Sequence, residues 1–387
     1  MPTFHIVYII SNLERAGAQI LLLNLVDIIK KTNKFKISVV TIDSGYLIPA
    51  FENMGVNVYN LAERGLFNPK IYFKLKKVLK ELDPDIVHTH LLKADFYGRL
   101  AAKKNGVKHI ISTCHNDSTI HKRSANPDRK NIFDRIDNFI LDFTNSNVIC
   151  ISQKVKNYLS WRKSNLDMSR VDVIYNGIDI SKSRLKLTKS ERLKSRQSLN
   201  LSENDFVVTI IGRLEEQKGH LKFLENIKNF LIQNPNIKFL FIGDGSLRKE
   251  IESFTSIHSL DKQVTLLGYR NDVDELIEIS DLIAVPSLWE GFGLVVAEGM
   301  IKQKPVIASR VGGIPEIIQH EHNGFLYDIE NQNELLETFS GIMSGQFNLK
   351  KIGDNARQTI IEKFDIKITA QKYIELYRRK LKSNIQN

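Results

Sequence analysis

Cysteine is scarce in this 387-residue chain: Cys114 and Cys150 are the only two, and no CxxC spacing links them. That excludes a disulfide framework and a four-thiolate zinc site, and it fits a reducing compartment. Long apolar runs are missing too, and none approaches the ~18–20 residues that a membrane span needs. The opening Phe4–Ile10 run lacks a basic flank and holds His5 and Tyr8, so it reads as a buried strand and not as a signal peptide. A soluble, cytoplasmic protein is the expectation. Several chemical signatures are absent as well. Without GxGxxG after the first strand a nicotinamide site is disfavoured, and there is no GxSxG elbow for a serine nucleophile. No His-x-x-Glu-His or similar spacing occurs, so no zinc site is expected. Internal repeats and low-complexity segments are lacking.

What is present is globular. With 42% hydrophobic and 26% charged residues, wholesale disorder is excluded. The length argues for two domains, because single cores rarely grow past ~250–300 residues. Short Val/Ile/Leu/Phe runs such as Ile37–Ile42, Ile86–Thr89, Phe206–Ile211 and Leu282–Pro286 alternate with amphipathic stretches such as Ala18–Lys30, Ile71–Leu82, Leu221–Asn234 and Ile314–His320. Continuous apolar strands separated by helices predict parallel sheets covered on both faces, in open doubly wound α/β domains. The alternation lapses around Asp179–Asp205, which is charged and without strand character. The domains are therefore expected at 1–180 and 181–365, with a final amphipathic helix in 366–387.

The +11 formal charge is unevenly spread. Residues 1–180 carry 26 basic and 17 acidic side chains, Lys182–Arg196 seven basic and one acidic, and residues 197–387 carry 22 basic and 26 acidic. A basic front half suits an anionic partner such as a phosphate-bearing lipid surface; ordinary solvated helix charge explains it equally. Nucleic acid is not an expected partner.

In open α/β sheets ligands bind at the carboxyl ends of the strands, so strand-to-helix loops are where chemistry is expected. The richest loop runs Pro286-Ser287-Leu288-Trp289-Glu290-Gly291-Phe292-Gly293-Leu294-Val295. Its glycines let backbone amides approach a ligand, and the helix that follows offers unpaired N–H groups to an anion. Glu298, one turn into that helix, can accept hydrogen bonds from a diol such as ribose. A second loop, Gly212-Arg213-Leu214-Glu215-Glu216-Gln217-Lys218-Gly219, brings two cations to one strand end, where they can neutralise a diphosphate leaving group. It is not a Walker A loop, because Lys218 precedes its glycine and no Ser or Thr follows. Gly17, just ahead of the first helix, suits a close approach of backbone to phosphate. His88 and His90 end the fourth strand, and His115 follows the fifth. Asp83-Pro84-Asp85 and Asp272-Val273-Asp274 match an Asp-x-Asp pattern, yet the first precedes its strand and the second starts a helix, so neither reads as a metal site.

Taken in order, GRLEEQKG, FIGDGSLR, LLGYRNDV, VPSLWEGFGLVVAEGM, KPVIASRVGGIPEII and NGFL between Gly212 and Leu326 resemble a family 4 glycosyltransferase, a retaining enzyme of the GT-B architecture. The resemblance spans nearly the whole chain. Glu290 and Glu298 match the family's Glu-x7-Glu signature, GRLxxxKG its diphosphate loop, and Val173–Asp179 the segment that leaves its front domain.

The resemblance implies two Rossmann-like domains facing a central cleft, an acceptor domain in front and a nucleotide-sugar domain behind, with the final helix crossing back to the front. It implies that Arg213 and Lys218 bind the diphosphate and Glu298 the ribose. Glu290 would contact the donor sugar with the amides around Phe292, Gly293, Leu294 and Val295, and Tyr269 and Arg270 would lie near the base. Gly17 would approach the distal phosphate, and His115 would sit beside the reacting sugar. Two positions depart from the family pattern: Ala16, where a first glycine is common, and Asn116, where an acid is frequent. The implied reaction transfers a hexose or N-acetylhexosamine with retention, needs no cofactor and no metal, and favours a UDP-sugar over a GDP-sugar. The acceptor would be a saccharide, lipid-linked, in synthesis of lipopolysaccharide, capsule or another surface polysaccharide. Lys74, Lys76, Lys77 and Lys80, with Lys122, Arg123, Arg129 and Lys130 after His115, would dock the front domain peripherally on the inner membrane leaflet. A nucleotide-sugar epimerase or phosphorylase on the same fold, and a non-catalytic carbohydrate-binding scaffold, are the alternatives.

Overall fold

A computed structural model describes residues 4–116, 132–182 and 187–382. Lys122, Arg123, Arg129 and Lys130, and Arg184 and Lys186 of the basic connector, lie outside the described residues. The chain divides into a front unit, Met1–Gly177 with Ile366–Asn387, and a back unit, Ile178–Asp365.

The front unit runs β1 (Phe4–Ile10), α1 (Gly17–Lys31), β2 (Phe35–Thr41), α2 (Ile48–Asn53), β3 (Asn57–Asn60), α3 (Pro69–Leu82), β4 (Ile86–His90), α4 (Leu92–Lys104), β5 (His109–Cys114), α5 (Ile132–Thr144), β6 (Asn147–Cys150), α6 (Gln153–Arg162) and β7 (Val171–Val173). The back unit runs α7 (Lys189–Gln197), β8 (Phe206–Ile211), α8 (His220–Gln233), β9 (Ile237–Ile242), α9 (Arg248–Ile257), β10 (Val264–Gly268), α10 (Val273–Ile279), β11 (Leu282–Val285), α11 (Leu294–Ile301), β12 (Val306–Ser309), β13 (Phe325–Tyr327), α12 (Gln332–Met343) and α13 (Leu349–Lys363). The last helix, α14 (Ile366–Lys382), belongs to the front unit.

Each unit is a parallel sheet with helices on both faces. The front order is β3-β2-β1-β4-β5-β6-β7 and the back order β10-β9-β8-β11-β12-β13. In each, the strand order reverses once, between β1 and β4 and between β8 and β11; such a switch point opens a crevice at the strands' carboxyl ends. The strands are apolar along their length because both faces are covered: Ile6 through Ile10 are all fully buried. One front core joins β1, α1 and α14, where Ala370, Tyr373, Ile374 and Tyr377 pack with Tyr8, Leu25, Ile111 and Ile149.

Helix starts follow local chemistry. Asn68 caps α3 by accepting from the Lys70 amide, with Pro69 behind it in the first turn, and the helix buries Ile71, Leu75 and Leu79. Within the connector, Thr188 and Glu191 form a reciprocal capping box that starts α7. That helix turns part of the basic connector inward: Arg192 and the buried Arg196 both pair with Asp281, and Arg196 also donates to the Glu203, Asp205 and Ile279 carbonyls. The front half spends cations in the same way. Arg99 and Arg162 share Asp137, Arg162 also meets Asp134, Lys163 meets Asp142, and Lys74 pairs with Glu63 at 2.7 Å.

One predicted element differs. The helix expected over Ile314–His320 is a single turn at Ile314–Glu316. Two glycines precede it and Pro315 sits inside it. The Asn323 side chain then takes the Gln319 amide, so the backbone bonds that would extend the helix go elsewhere.

Candidate active site

In the back unit β8 pairs in parallel with β11, so the loops leaving these strands are neighbours although 72 residues separate Lys218 from Glu290. The loops are stitched together. The Leu288 amide donates to the Gln217 carbonyl at 2.8 Å, and the Gln217 side-chain amide donates to the Trp289 carbonyl at 3.1 Å. Lys218 Nζ then reaches Glu290 Oε2 at 2.6 Å, and Ser287 Oγ lies 3.4 Å from the same oxygen. Both partners are only half-buried, which leaves the pair accessible to a ligand.

Glycines make this convergence possible. Gly219 has φ +66°, and a Cβ there would fall 2.0 Å from the Pro286 carbonyl oxygen. On the other side of Glu290, Gly312 has φ +54°, and a Cβ would sit 1.5 Å from the Glu290 carbonyl oxygen. Gly293, at φ +101°, turns the chain into α11. The first amides of that helix, at Leu294 and Val295, have no intrahelical carbonyl to bond. Phe292 is buried against Phe364 and anchors the turn. Glu298 follows one turn along, half-buried. Burial raises its pKa above the ordinary carboxylate value; Asp274 adds to the rise, and Lys218 and Lys302 oppose it. The cation, both glutamates and the helix start therefore share one end of one sheet.

Arg213 is exposed on the β8 loop and has no ion-pair partner among the described residues. Its neighbour Glu215 is held by the Ser246 amide and hydroxyl at 3.1 and 2.9 Å, which lowers its pKa. Tyr269 is exposed after β10, and Arg270 pairs with Asp272 through Nε at 2.8 Å. Gly17 and His115 belong to the front unit. Gly17 is the exposed first residue of α1, after a loop in which Asn12 accepts from the Glu14 amide and Gln19 Nε2. His115 is half-buried, its Nε2 lies 3.1 Å from His90 Nδ1, and burial lowers its pKa to about 4. Both Asp-x-Asp pairs have structural work: Asp85 accepts from the His5 amide, Asp83 ends α3 in a left-handed turn, Asp272 holds Arg270, and Asp274 meets Lys302 at 3.0 Å.

Three contributors were not singled out by sequence reasoning. Gln217 and Ser287 look like ordinary loop polars until the β8–β11 pairing is known. Gly312 did have a signal, the Gly-Gly pair two residues beyond the apolar strand β12.

Residues 5–182 match the family described as Glycosyltransferase Family 4, and residues 191–359 the family described as Glycosyl transferases group 1. The chain is 31% identical over 315 residues to the UDP-Gal:alpha-D-GlcNAc-diphosphoundecaprenol alpha-1,3-galactosyltransferase of Escherichia coli, covering 80% of this chain and 79% of that protein. It is 24% identical over 329 residues to the N-acetyl-alpha-D-glucosaminyl L-malate synthase of Bacillus anthracis, covering 84% and 83%. Among solved structures, Anabaena Alr3699/HepE in complex with UDP-glucose superposes with a TM-score of 0.82 at 24% identity, over 97% of this chain and 99% of that one. WaaG, a glycosyltransferase involved in lipopolysaccharide biosynthesis, superposes at 0.74 and 16% identity, over 96% and 99%. With two Rossmann-like domains of the GT-B kind and matches across both of them, the chain belongs to glycosyltransferase family 4.

Proposed function

We propose that this glycosyltransferase moves a hexose or N-acetylhexosamine from a UDP-sugar to a lipid-linked saccharide during assembly of a surface polysaccharide, with retention of anomeric configuration and without a divalent metal. The observation that carries this reading is the Lys218–Glu290 pair beside the start of α11, with Glu298 one turn further on. A cation and helix amides suit a diphosphate, and a carboxylate beside them suits sugar hydroxyls. Glu298 suits the ribose diol. Arg213, exposed on the same loop as Lys218, supplies a second positive charge that a metal would otherwise provide.

In the reaction so read, the bond between the sugar's anomeric carbon and the β-phosphate oxygen breaks as Lys218, Arg213 and the α11 amides stabilise the departing diphosphate. The acceptor oxygen bonds to the same face of the anomeric carbon, and its proton passes to the departing phosphate oxygen. Glu290 orients the sugar. For the front unit, the family resemblance assigns His115 to the reacting sugar and Gly17 to the distal phosphate, and we carry both roles as part of the proposal.

UDP is favoured because UDP-Gal stands in the name of the E. coli relative and UDP-glucose is bound in the Anabaena protein. A lipid-linked acceptor is favoured because that relative's name specifies a diphosphoundecaprenol-linked sugar. No helix of the described residues is long and apolar enough to cross a membrane. Lys70, Phe73, Lys77 and Lys80, all exposed on α3, suit peripheral approach to an anionic leaflet. Thermal shift against a panel of UDP- and GDP-sugars tests the donor, followed by proton NMR of the product. Stabilisation by UDP-sugars and a retained anomeric configuration are expected; an inverted product refutes the mechanism.

A further inference from the structure

Three histidines end two adjacent strands of the front unit. His88 and His90 lie on β4, and His115 directly follows β5, the neighbouring strand. The His88 and His90 rings stack with centroids 4.4 Å apart. His88 is satisfied at both nitrogens, by the Tyr377 hydroxyl at 2.7 Å and Thr113 Oγ1 at 2.8 Å. His90 is not. Its Nδ1 meets His115 Nε2 at 3.1 Å, but its Nε2, on a residue only 1% exposed, has no hydrogen-bond partner among the described residues.

A hydrogen bond between two neutral imidazoles has two possible orientations. If His115 donated from Nε2, His90 would have to carry its proton on Nε2, a buried N–H with no acceptor among the described residues. If His90 donates from Nδ1, its Nε2 is a bare lone pair and the proton of His115 sits on Nδ1. Orphaned buried N–H groups are rarer than acceptors left short, so the second orientation is favoured. Burial keeps both rings neutral, with the pKa of His115 near 4 and that of His90 well below the ordinary value, so no extra proton blurs the choice.

We propose that His90 is a positioning residue: by donating Nδ1–H to His115 Nε2 it locks His115 in its Nδ1–H tautomer, so that His115 meets its ligand as a hydrogen-bond donor and not as a base. The consequence for catalysis rests on the reading of His115 as a residue beside the reacting sugar; the tautomer itself does not. With Nε2 occupied, His115 cannot take the acceptor proton there, which leaves the departing phosphate to receive it.

The test is nitrogen-15 NMR of histidine-labelled full-length protein, with signals assigned by His115→Gln and His90→Asn. A protonated, pyrrole-type Nδ1 and an unprotonated, hydrogen-bonded Nε2 on His115 are expected. A protonated Nε2, or rapid averaging between tautomers, overturns the proposal whatever the activity. Kinetics supply the second arm. His90→Asn keeps an amide N–H where Nδ1 stands and should retain most of kcat and the tautomer signature. His90→Leu should lose about 10- to 100-fold in kcat, as loss of orienting partners does elsewhere, with little change in donor KM. Equal loss in both variants, or no loss in His90→Leu, contradicts the positioning role. Failure of every nucleotide sugar to bind would instead remove the functional reading and leave the NMR result standing.

Discussion

Lys218 Nζ lies 2.6 Å from Glu290 Oε2, so the cation assigned to the diphosphate and the carboxylate assigned to the sugar form one ion pair. Each holds the other's rotamer at the mouth of the β8–β11 crevice. A ligand that brings both a phosphate and a hydroxylated ring satisfies the two at once. Lys218→Met should therefore lower kcat/KM by about 10²–10³-fold, the usual loss when a preorganised group that stabilises developing negative charge is removed. Lys218→Arg should recover only part, because a planar fork does not reproduce a compact ammonium. Steady-state kinetics with the donor identified by thermal shift decides this.

Glu298 makes a sharper discrimination possible. If its carboxylate accepts from the ribose diol, wild type should prefer UDP over 2′-deoxy-UDP by about tenfold, roughly one hydrogen bond to a charged group. Glu298→Gln should compress that preference and leave 2′-deoxy-UDP binding nearly unchanged. An undiminished preference in the variant would place Glu298 elsewhere than on the ribose.

Gly312 tests how the pair is held. A Cβ there would sit 1.5 Å from the Glu290 carbonyl oxygen, so Gly312→Ala must move the Glu290 loop. Gly345 has a comparable φ of +77° with nothing within 4 Å of its would-be Cβ. Gly345→Ala should cost about 1–2 kcal/mol of backbone strain and leave turnover intact. Gly312→Ala should cost more stability and most of the activity, as denaturation midpoints and kcat will report.

Buried histidines set an acid limit on stability. Burial lowers the folded-state pKa of His88 to about 3 and those of His115 and His220 to about 4, and it drives His90 well below the ordinary value. In the unfolded chain these groups protonate near pH 6.5, so below that the unfolded state binds more protons and stability falls with pH. Each can remove up to about 1.4 kcal/mol per pH unit until its folded pKa is reached. Asp95 runs the other way: burial raises its pKa to about 6, so it gains stability as pH falls from 6 toward 3.8, offsetting part of one histidine. The melting temperature should fall from pH 7 to pH 5, and His90→Asn should flatten that slope.

Much of this architecture is written locally. Apolar strands such as Phe206–Ile211 announce a parallel sheet, and GRLEEQKG announces a charged strand-end loop by its composition alone. Relationships across the sheet are not local. Gln217 and Ser287 gain their meaning only from the β8–β11 pairing, and His90 only from the strand beside it. The expected helix over Ile314–His320 failed because Asn323, several residues beyond it, captures the Gln319 amide. Bulk charge is equally silent about location: Arg99, Arg162, Lys163 and Arg196 count toward the basic total yet are buried in ion pairs.

The central claim is that the Lys218–Glu290 pair is the seat of a nucleotide-sugar diphosphate. Calorimetric titration of UDP into wild type, Lys218→Met and Glu290→Ala, paired with donor turnover, addresses it most directly. The expected result is UDP binding by wild type, at least about tenfold weaker binding by Lys218→Met, and near-normal UDP binding by Glu290→Ala with turnover abolished. Equal UDP affinity in wild type and Lys218→Met would contradict it.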